Sequence, residues 1–256
     1  MEVVTRICYV YYPAFLEKHD LRIQAKWLSL KSKSTLGLQM KDLMDLTLFE
    51  LRSFLGRMLI DRRPKLYSNN NYLHLGCGWN PVDGYVNADF FNVFYVRKSK
   101  NYTKKLQWQL DLRYPMECDD NVFDGVFTEH TLEHLTPLQA NNLLKELYRV
   151  MKRNAVIRIT VPDLEKYIKF YIGEYDGIDV EAFKKMFDTG CSAIRNTTQN
   201  YKHKSVWDFD ELKRCMEEAG FDDIQKMDFG VSNDEHLKLD LESRVWETFY
   251  LEGRKA

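Results

Sequence analysis

A chain of 256 residues, 45% hydrophobic and 29% charged, falls in the globular class and is long enough for one large domain with an appendage. Its 37 basic and 38 acidic side chains nearly cancel, so the whole-chain balance carries no electrostatic footprint of a nucleic-acid or anionic-membrane binder. The imbalance is local: residues 1–71 hold 12 Lys and Arg against 7 Asp and Glu, which reads as a solvated helical face.

The first fifteen residues are apolar in character but broken by Glu2 and Arg6, without the basic-then-apolar order of a signal peptide. No stretch approaches the ~18 uninterrupted apolar residues of a membrane span. The five cysteines, Cys8, Cys77, Cys118, Cys191 and Cys215, are odd in number and widely spaced, as expected of reduced thiols in a cytoplasmic protein. A short helix and loops are expected first, with a linker over 31–35. Residues 42–63 then place Leu43, Leu46, Leu48, Leu51, Phe54, Leu55, Met58 and Leu59 at helical spacing before Pro64, which predicts an amphipathic helix. The first 70 residues read as a helical extension.

From residue 71 the pattern changes to short apolar strands alternating with helices, the mark of an α/β domain with a mostly parallel sheet. Strands are predicted at 72–75, 85–88, 108–110, 123–127 and 155–161. The clearest helix is 137–151, with Leu138, Leu143, Leu144, Leu147 and Val150 on one stripe. A helix at 210–219 ends on Gly220. Two last strands, 223–229 and 244–251, have no helix between them and fit an antiparallel pair at the sheet edge.

The first strand runs into Gly76-Cys77-Gly78. Glycine permits unusual φ values and close ligand approach, but a Gly-x-Gly turn alone is shared by dinucleotide and P-loop proteins. A dinucleotide fingerprint wants a third glycine three residues on, where a helix N-terminus meets the pyrophosphate; Pro81 stands there. No Gly-Lys-Ser/Thr follows either. The second strand ends at Asp89, placed to accept bonds from ribose hydroxyls, and the third at Asp111-Leu112, placed beside an adenine. Adenine and ribose without phosphate describe S-adenosylmethionine.

The segments His74-Leu-Gly-Cys-Gly-Trp-Asn-Pro81, Gly84-Tyr-Val-Asn-Ala-Asp89, Phe123-Asp-Gly-Val-Phe-Thr-Glu-His-Thr-Leu-Glu-His-Leu135, Leu147-Tyr-Arg-Val-Met-Lys152, Ile157-Arg-Ile-Thr-Val-Pro-Asp163 and His203-Lys-Ser-Val-Trp-Asp-Phe-Asp210 closely resemble class I methyltransferases. Among these the chain is similar to the small enzymes of polysaccharide and glycan biosynthesis, including algal-virus glycan methyltransferase domains. The resemblance covers residues 71–256 and implies a Rossmann-like, seven-stranded, mostly parallel sheet with an antiparallel edge strand. It assigns Gly76, Cys77 and Gly78 to the methionine and adenosine contact, Asp89 to the ribose, Asp111 and Leu112 to the adenine, and Glu129 with His130 to the floor beneath the sulfonium. Arg153-Asn154-Ala155 departs from the family's usual Pro-Gly-Gly, so that turn is expected to differ in shape.

His130, Glu133 and His134 also spell the H-x-x-E-H run of an inverted zinc protease. A position between a buried strand and Pro137, rather than inside a long helix, argues against a hydrolase, and no metal is expected. His130 reads as packing against the cofactor. An alcohol acceptor needs its proton removed, a task that adds ~10²–10⁴-fold when a side chain is positioned for it. His134, His203 and Asp163 are the candidates. Each also has a structural reading: His134 as a histidine bonded to backbone, Asp163 as the N-cap of a helix over 164–171, and His203 as part of a run with Lys202 and Lys204. The insertion 164–206 holds Tyr167, Phe170, Tyr171, Tyr175, Phe183, Phe187 and Tyr201 beside Arg195 and Lys202, which reads as a platform for a sugar ring or as core.

The resulting expectation is transfer of the S-adenosylmethionine methyl to a sugar hydroxyl of a glycan acceptor. The alternatives are a small phenolic or carboxylate acceptor, or a non-catalytic relative that uses the pocket to bind a partner. The extension at 1–70 is expected to cap the acceptor site, form a homodimer interface or dock a glycosyltransferase.

Overall fold

A computed structural model describes residues 35–91 and 106–256. The short helix, residues 31–34 of the linker and Cys8 of the sequence reading lie outside the described residues, and Thr35 opens the first helix rather than ending a linker. The elements are α1 (Thr35–Leu59), β1 (Tyr72–Leu75), β2 (Val86–Asp89), β3 (Trp108–Gln109), β4 (Phe123–Glu129), α2 (Pro137–Val150), β5 (Met151–Pro162), α3 (Leu164–Ile172), α4 (Val180–Met186), α5 (Gly190–Gln199), α6 (Phe209–Ala219), β6 (Phe221–Met227) and β7 (Thr248–Lys255).

Seven strands form one sheet in the order β3-β2-β1-β4-β5-β7-β6. The first five run parallel, and β7 pairs antiparallel with both β5 and β6. The expected antiparallel pair is present, each strand displaced a few residues from the predicted position. The expected alternation with helices is only partly met. Residues 76–85, between β1 and β2, contain turns and no helix, because Gly78, Pro81 and Gly84 break any helical run.

The apolar stripe of α2 packs into the main core through Ala140, Leu143, Leu144, Leu147 and Val150. Leu138 departs from the expected stripe and is exposed, since it lies in the first turn. Thr136 opens this helix with a capping box: its hydroxyl accepts from the Gln139 N–H and the Gln139 side chain accepts from the Thr136 N–H. Asn154 takes φ 63°, a left-handed value that asparagine tolerates. The buried Arg158 holds Asp240 (2.6 Å) and Glu252 (3.0 Å), pinning the long turn before β7 to the sheet.

Helix α1 departs most from expectation. The predicted apolar positions Leu43, Leu46, Leu48, Leu51, Phe54, Met58 and Leu59 are exposed by 44–71%, while Ser53 and Gly56 are buried. The helix turns its other face to the sheet edge, where polar and aromatic partners meet it: Ser53 donates to the Asp111 carboxylate (2.5 Å), Arg113 reaches Glu50 (2.5 Å), and Phe49 stacks on Phe90. Gly56 is required there, since a Cβ would lie 2.2 Å from the Phe91 ring.

Candidate active site

The ends of β1, β2, β3 and β4 lie along one edge of the sheet. At the first, Gly76 and Cys77 donate their N–H groups to the Ala88 carbonyl (2.8 and 3.1 Å), clamping the turn to β2. Gly76 has φ 67°, and a Cβ on it would sit 2.2 Å from Thr131 Oγ1. Both constraints demand glycine. Gly78 also has positive φ (51°), but its Cβ direction is open, with no atom nearer than 4.0 Å. The first glycine fits the protein to itself, and the second leaves main chain open for a ligand.

Asp89 closes β2, with one carboxylate oxygen accepting from the Phe90 N–H (2.6 Å). Phe90 stacks on Phe49 of α1 at 4.6 Å. Asp111 is buried and its carboxylate is already engaged: Arg113 donates to it from Nε (2.9 and 3.1 Å) and Nη2 (2.6 Å), and Ser53 donates as well. These partners hold its carboxyl below the usual range against the opposing effect of burial. Accepting an adenine amine therefore requires Asp111 to exchange one of these bonds. Leu112 is half-buried against the main core.

At the end of β4, Glu129 accepts from the Leu241 N–H (3.1 Å) and faces Arg244 at 4.0 Å. Burial pushes its carboxyl up to about 7. His130 takes φ 47°, and its Nε2 meets Thr248 Oγ1 at 2.7 Å. Burial holds that imidazole neutral, well below its usual range. Both residues stand at the strand end where the resemblance puts the cofactor floor, and each also ties β4 to the segment around β7.

The chain then makes one 3-10 turn, Leu132–His134. The H-x-x-E-H run thus spans a strand end and a single turn, with no zinc-protease helix. Glu133 points inward, 2% exposed, and neither carboxylate oxygen has a hydrogen-bond partner. The imidazole nitrogens nearest it are His130 Nδ1 (3.5 Å) and His134 Nε2 (4.0 Å). Burial, with Glu247 and Glu129 adding to it, pushes this carboxyl up to about 8.

His134 is brought against a residue far away in sequence: its ring centroid lies 5.0 Å from that of His203. His203 Nδ1 stands 2.8 Å from the Thr197 carbonyl, which fixes the proton on Nδ1 and leaves the Nε2 lone pair available. The Lys204 and Ser205 N–H groups donate to the Glu133 carbonyl (2.7 and 3.2 Å), stitching the two segments together. Burial, His203, Arg244 and Lys204 together lower His134 to about 3, and burial lowers His203 as well. Both imidazoles are neutral at physiological pH.

The backbone is strained here. Among the described residues, Asn121, Asn154 and Asp223 have positive φ, as turn residues of their type often do. The remaining non-glycine cases are His130, Tyr201 and Lys202, all adjoining this cluster. Left-handed backbone costs roughly 1–2 kcal/mol at such residues, so the surrounding fold must hold them in place.

Asp163 stands apart from this cluster. It caps α3 by accepting from the Glu165 N–H (3.0 Å), and its own N–H donates to the Glu247 carbonyl (2.7 Å). The insertion divides in two. Tyr167, Phe170 and Phe183 form a second buried core with Phe187 and Trp246 packed on it, so these rings are no platform. Tyr171, Tyr175 and Tyr201 are exposed. A recess of about 470 Å³ is lined by Tyr171, Tyr175, Lys184 and Phe187 among others, none of them from the sheet edge or the histidine cluster. Sequence reasoning weighed Glu133 only as a protease base and did not find Ser53, Arg113 or Arg244. No local pattern marks those three.

The strand order, with a glycine turn and acidic residues along one sheet edge, is that of a Rossmann-like α/β fold. Residues 73–159 match the family model described as a methyltransferase domain. That match covers about a third of the chain. No curated protein matches the chain significantly. Solved structures similar to it include a SAM-dependent methyltransferase from Thermotoga maritima (14% identity, 85% of this chain and 96% of that one, TM-score 0.48). Another from Archaeoglobus fulgidus is 19% identical over 81% of this chain and 94% of its own, with TM-score 0.42. The phosphoethanolamine N-methyltransferase 2 of Haemonchus contortus, in complex with S-adenosyl-L-methionine, is 13% identical over 78% of this chain and 51% of its own, with TM-score 0.44.

Proposed function

We propose that the protein is an O-methyltransferase acting on a sugar hydroxyl of a glycan or glycan precursor. Gly76, Cys77 and Gly78 take the methionine and adenosine portions of the cofactor, Asp89 the ribose, and Asp111 with Leu112 the adenine. Glu129 and His130 form the floor beneath the sulfonium.

The observation that carries the reading is the buried Glu133 flanked by the neutral His134 and His203, joined to the glycine turn through Thr131. Methyl transfer is an in-line displacement, and holding oxygen, methyl carbon and sulfur collinear supplies much of the acceleration. A hydroxyl is a poor nucleophile until its proton is lost, and this cluster is where it is activated. The exposed Tyr201, whose ring centroid lies 5.9 Å from that of His203, offers a ring face for a pyranose. Asp163, a candidate base in the sequence, acts instead as the N-cap of α3.

Incubation with S-adenosylmethionine and a panel of nucleotide-sugars, oligosaccharides and simple phenols, read by mass spectrometry, tests this. Gain of one methyl group on a sugar is the expected result. Methylation confined to phenols or carboxylates would replace the sugar assignment with a small non-sugar acceptor.

A further inference from the structure

A buried carboxylate without a hydrogen-bond donor is costly unless it is neutralised or paired. Glu133 has no side-chain donor within hydrogen-bond geometry, and the side-chain nitrogens closest to it are those of the His130 and His134 imidazoles, at 3.5 and 4.0 Å. The donor atoms of Glu133, His134 and His203 all lie within 4.8 Å of one another. Donors bound at 2.0–2.2 Å to a tetrahedral ion stand about 3.4 Å apart, so small side-chain rotations close the set. The His203 ring is already oriented as a metal ligand is, with its other nitrogen bonded to a backbone carbonyl. The cluster is also open on one side, since 32% of the His134 side chain reaches solvent.

We propose that Glu133, His134 and His203 bind a divalent transition-metal ion of the zinc type, leaving one coordination position for the acceptor oxygen. Two imidazoles and one carboxylate, with a fourth position open, are the donor set of catalytic zinc sites. Magnesium and calcium demand more oxygen ligands than this set supplies. The sequence hides the site because its H-x-x-E-H spacing points to His130, whose ring is turned to Thr248; the third ligand comes from a segment about 70 residues onward.

The role of the ion rests on the methyl-transfer reading, although its binding does not. An acceptor hydroxyl bound to the ion releases its proton to water, and the oxygen bonds to the methyl carbon as the carbon–sulfur bond breaks. Sulfur keeps the electron pair, and neutral S-adenosylhomocysteine leaves. His134 and His203 then act through the ion and not as bases.

The test is a calorimetric titration of the full chain, stripped with a chelator, with Zn²⁺ alone. One equivalent is expected to bind, with affinity falling at least 100-fold in both Glu133→Gln and His203→Ala. His236→Ala and Cys191→Ser, outside the cluster, should leave it unchanged. Circular dichroism and S-adenosylhomocysteine binding of each variant separate loss of the site from loss of the fold. No stoichiometric binding, or binding equal in the cluster variants, overturns the proposal. Methyl transfer that persists in the stripped protein would leave the enzyme reading standing without the metal. Zinc binding with no methylated hydroxyl product would do the reverse.

Discussion

The proposed cofactor edge and the histidine cluster meet at Thr131, yet they are built on opposite terms. Along β1 to β3 each expected ligand-facing residue sits at or next to a strand end, and its neighbours are main chain, ion pairs or ordinary core. At the cluster, an unbonded carboxylate, shifted imidazoles and left-handed Tyr201 and Lys202 are held by contacts between distant segments. The first region is made by local geometry and the second by tertiary packing. Substitutions should therefore separate them, with cofactor binding lost at one and turnover lost at the other.

The largest effect is expected at Gly76→Ala, where a positive φ combines with a Cβ 2.2 Å from Thr131 Oγ1. S-adenosylhomocysteine affinity should fall at least ~100-fold, and the domain should lose ~2–4 kcal/mol of stability; calorimetry and thermal melts read both. Gly78→Ala, with open space around its Cβ, should be much milder for stability. Near-equal melting temperatures for the two variants would erase the distinction drawn between the glycines.

Next come Glu133→Gln and His203→Ala, which should lower methyl transfer by roughly 10²–10⁴-fold with the cofactor saturating. Cofactor affinity should change less than about threefold on that reading. Equal loss of binding and turnover would mean that the two regions are a single site.

A smaller effect is expected in the pH dependence of stability. Glu133 has its carboxyl raised to about 8 in the fold, above the usual value near 4.5. The folded state thus holds this proton over a pH range where the unfolded chain has released it. Its contribution is fully present below about 4.5 and is lost as pH rises toward 8. Metal-free Glu133→Gln should therefore gain on the unmodified protein as pH rises from 5 to 8.5, by ~1–3 kcal/mol. His134 works the other way. Lowered to about 3, it contributes stability above its usual 6.5 that is lost as pH falls toward 3. Denaturant melts from pH 4 to 9 check both signs.

The smallest effect is expected at Ser53→Ala, which removes one donor from Asp111 and one link between α1 and the sheet. A loss of about 1 kcal/mol is expected, together with S-adenosylhomocysteine binding that is equal or slightly tighter. Weaker binding would mean that α1 completes the adenine site rather than competing with it.

What could be read in the sequence follows the same division. The order of elements, the glycine turn and the candidate residues Asp89 and Asp111 rest on short-range patterns, and the strands lie within a few residues of their predicted positions. Periodicity in α1 and α2 shows which residues share a face but not which way the face turns. Both stripes are regular, yet α2 buries its stripe and α1 exposes it, because α1 meets Asp111, Arg113, Phe90 and Phe91 through its other face. The approach of His203 to His134 depends on how Gly190–Gln199 packs against Leu164–Ile172, and no spacing encodes that.

Calorimetric titration of the unmodified chain, Asp89→Ala and His203→Ala with S-adenosylhomocysteine is the most direct test of this two-part construction. Micromolar one-site binding is expected for the unmodified chain and for His203→Ala, with no measurable binding for Asp89→Ala. Absence of binding by the unmodified chain, or equal binding by Asp89→Ala, would contradict the account.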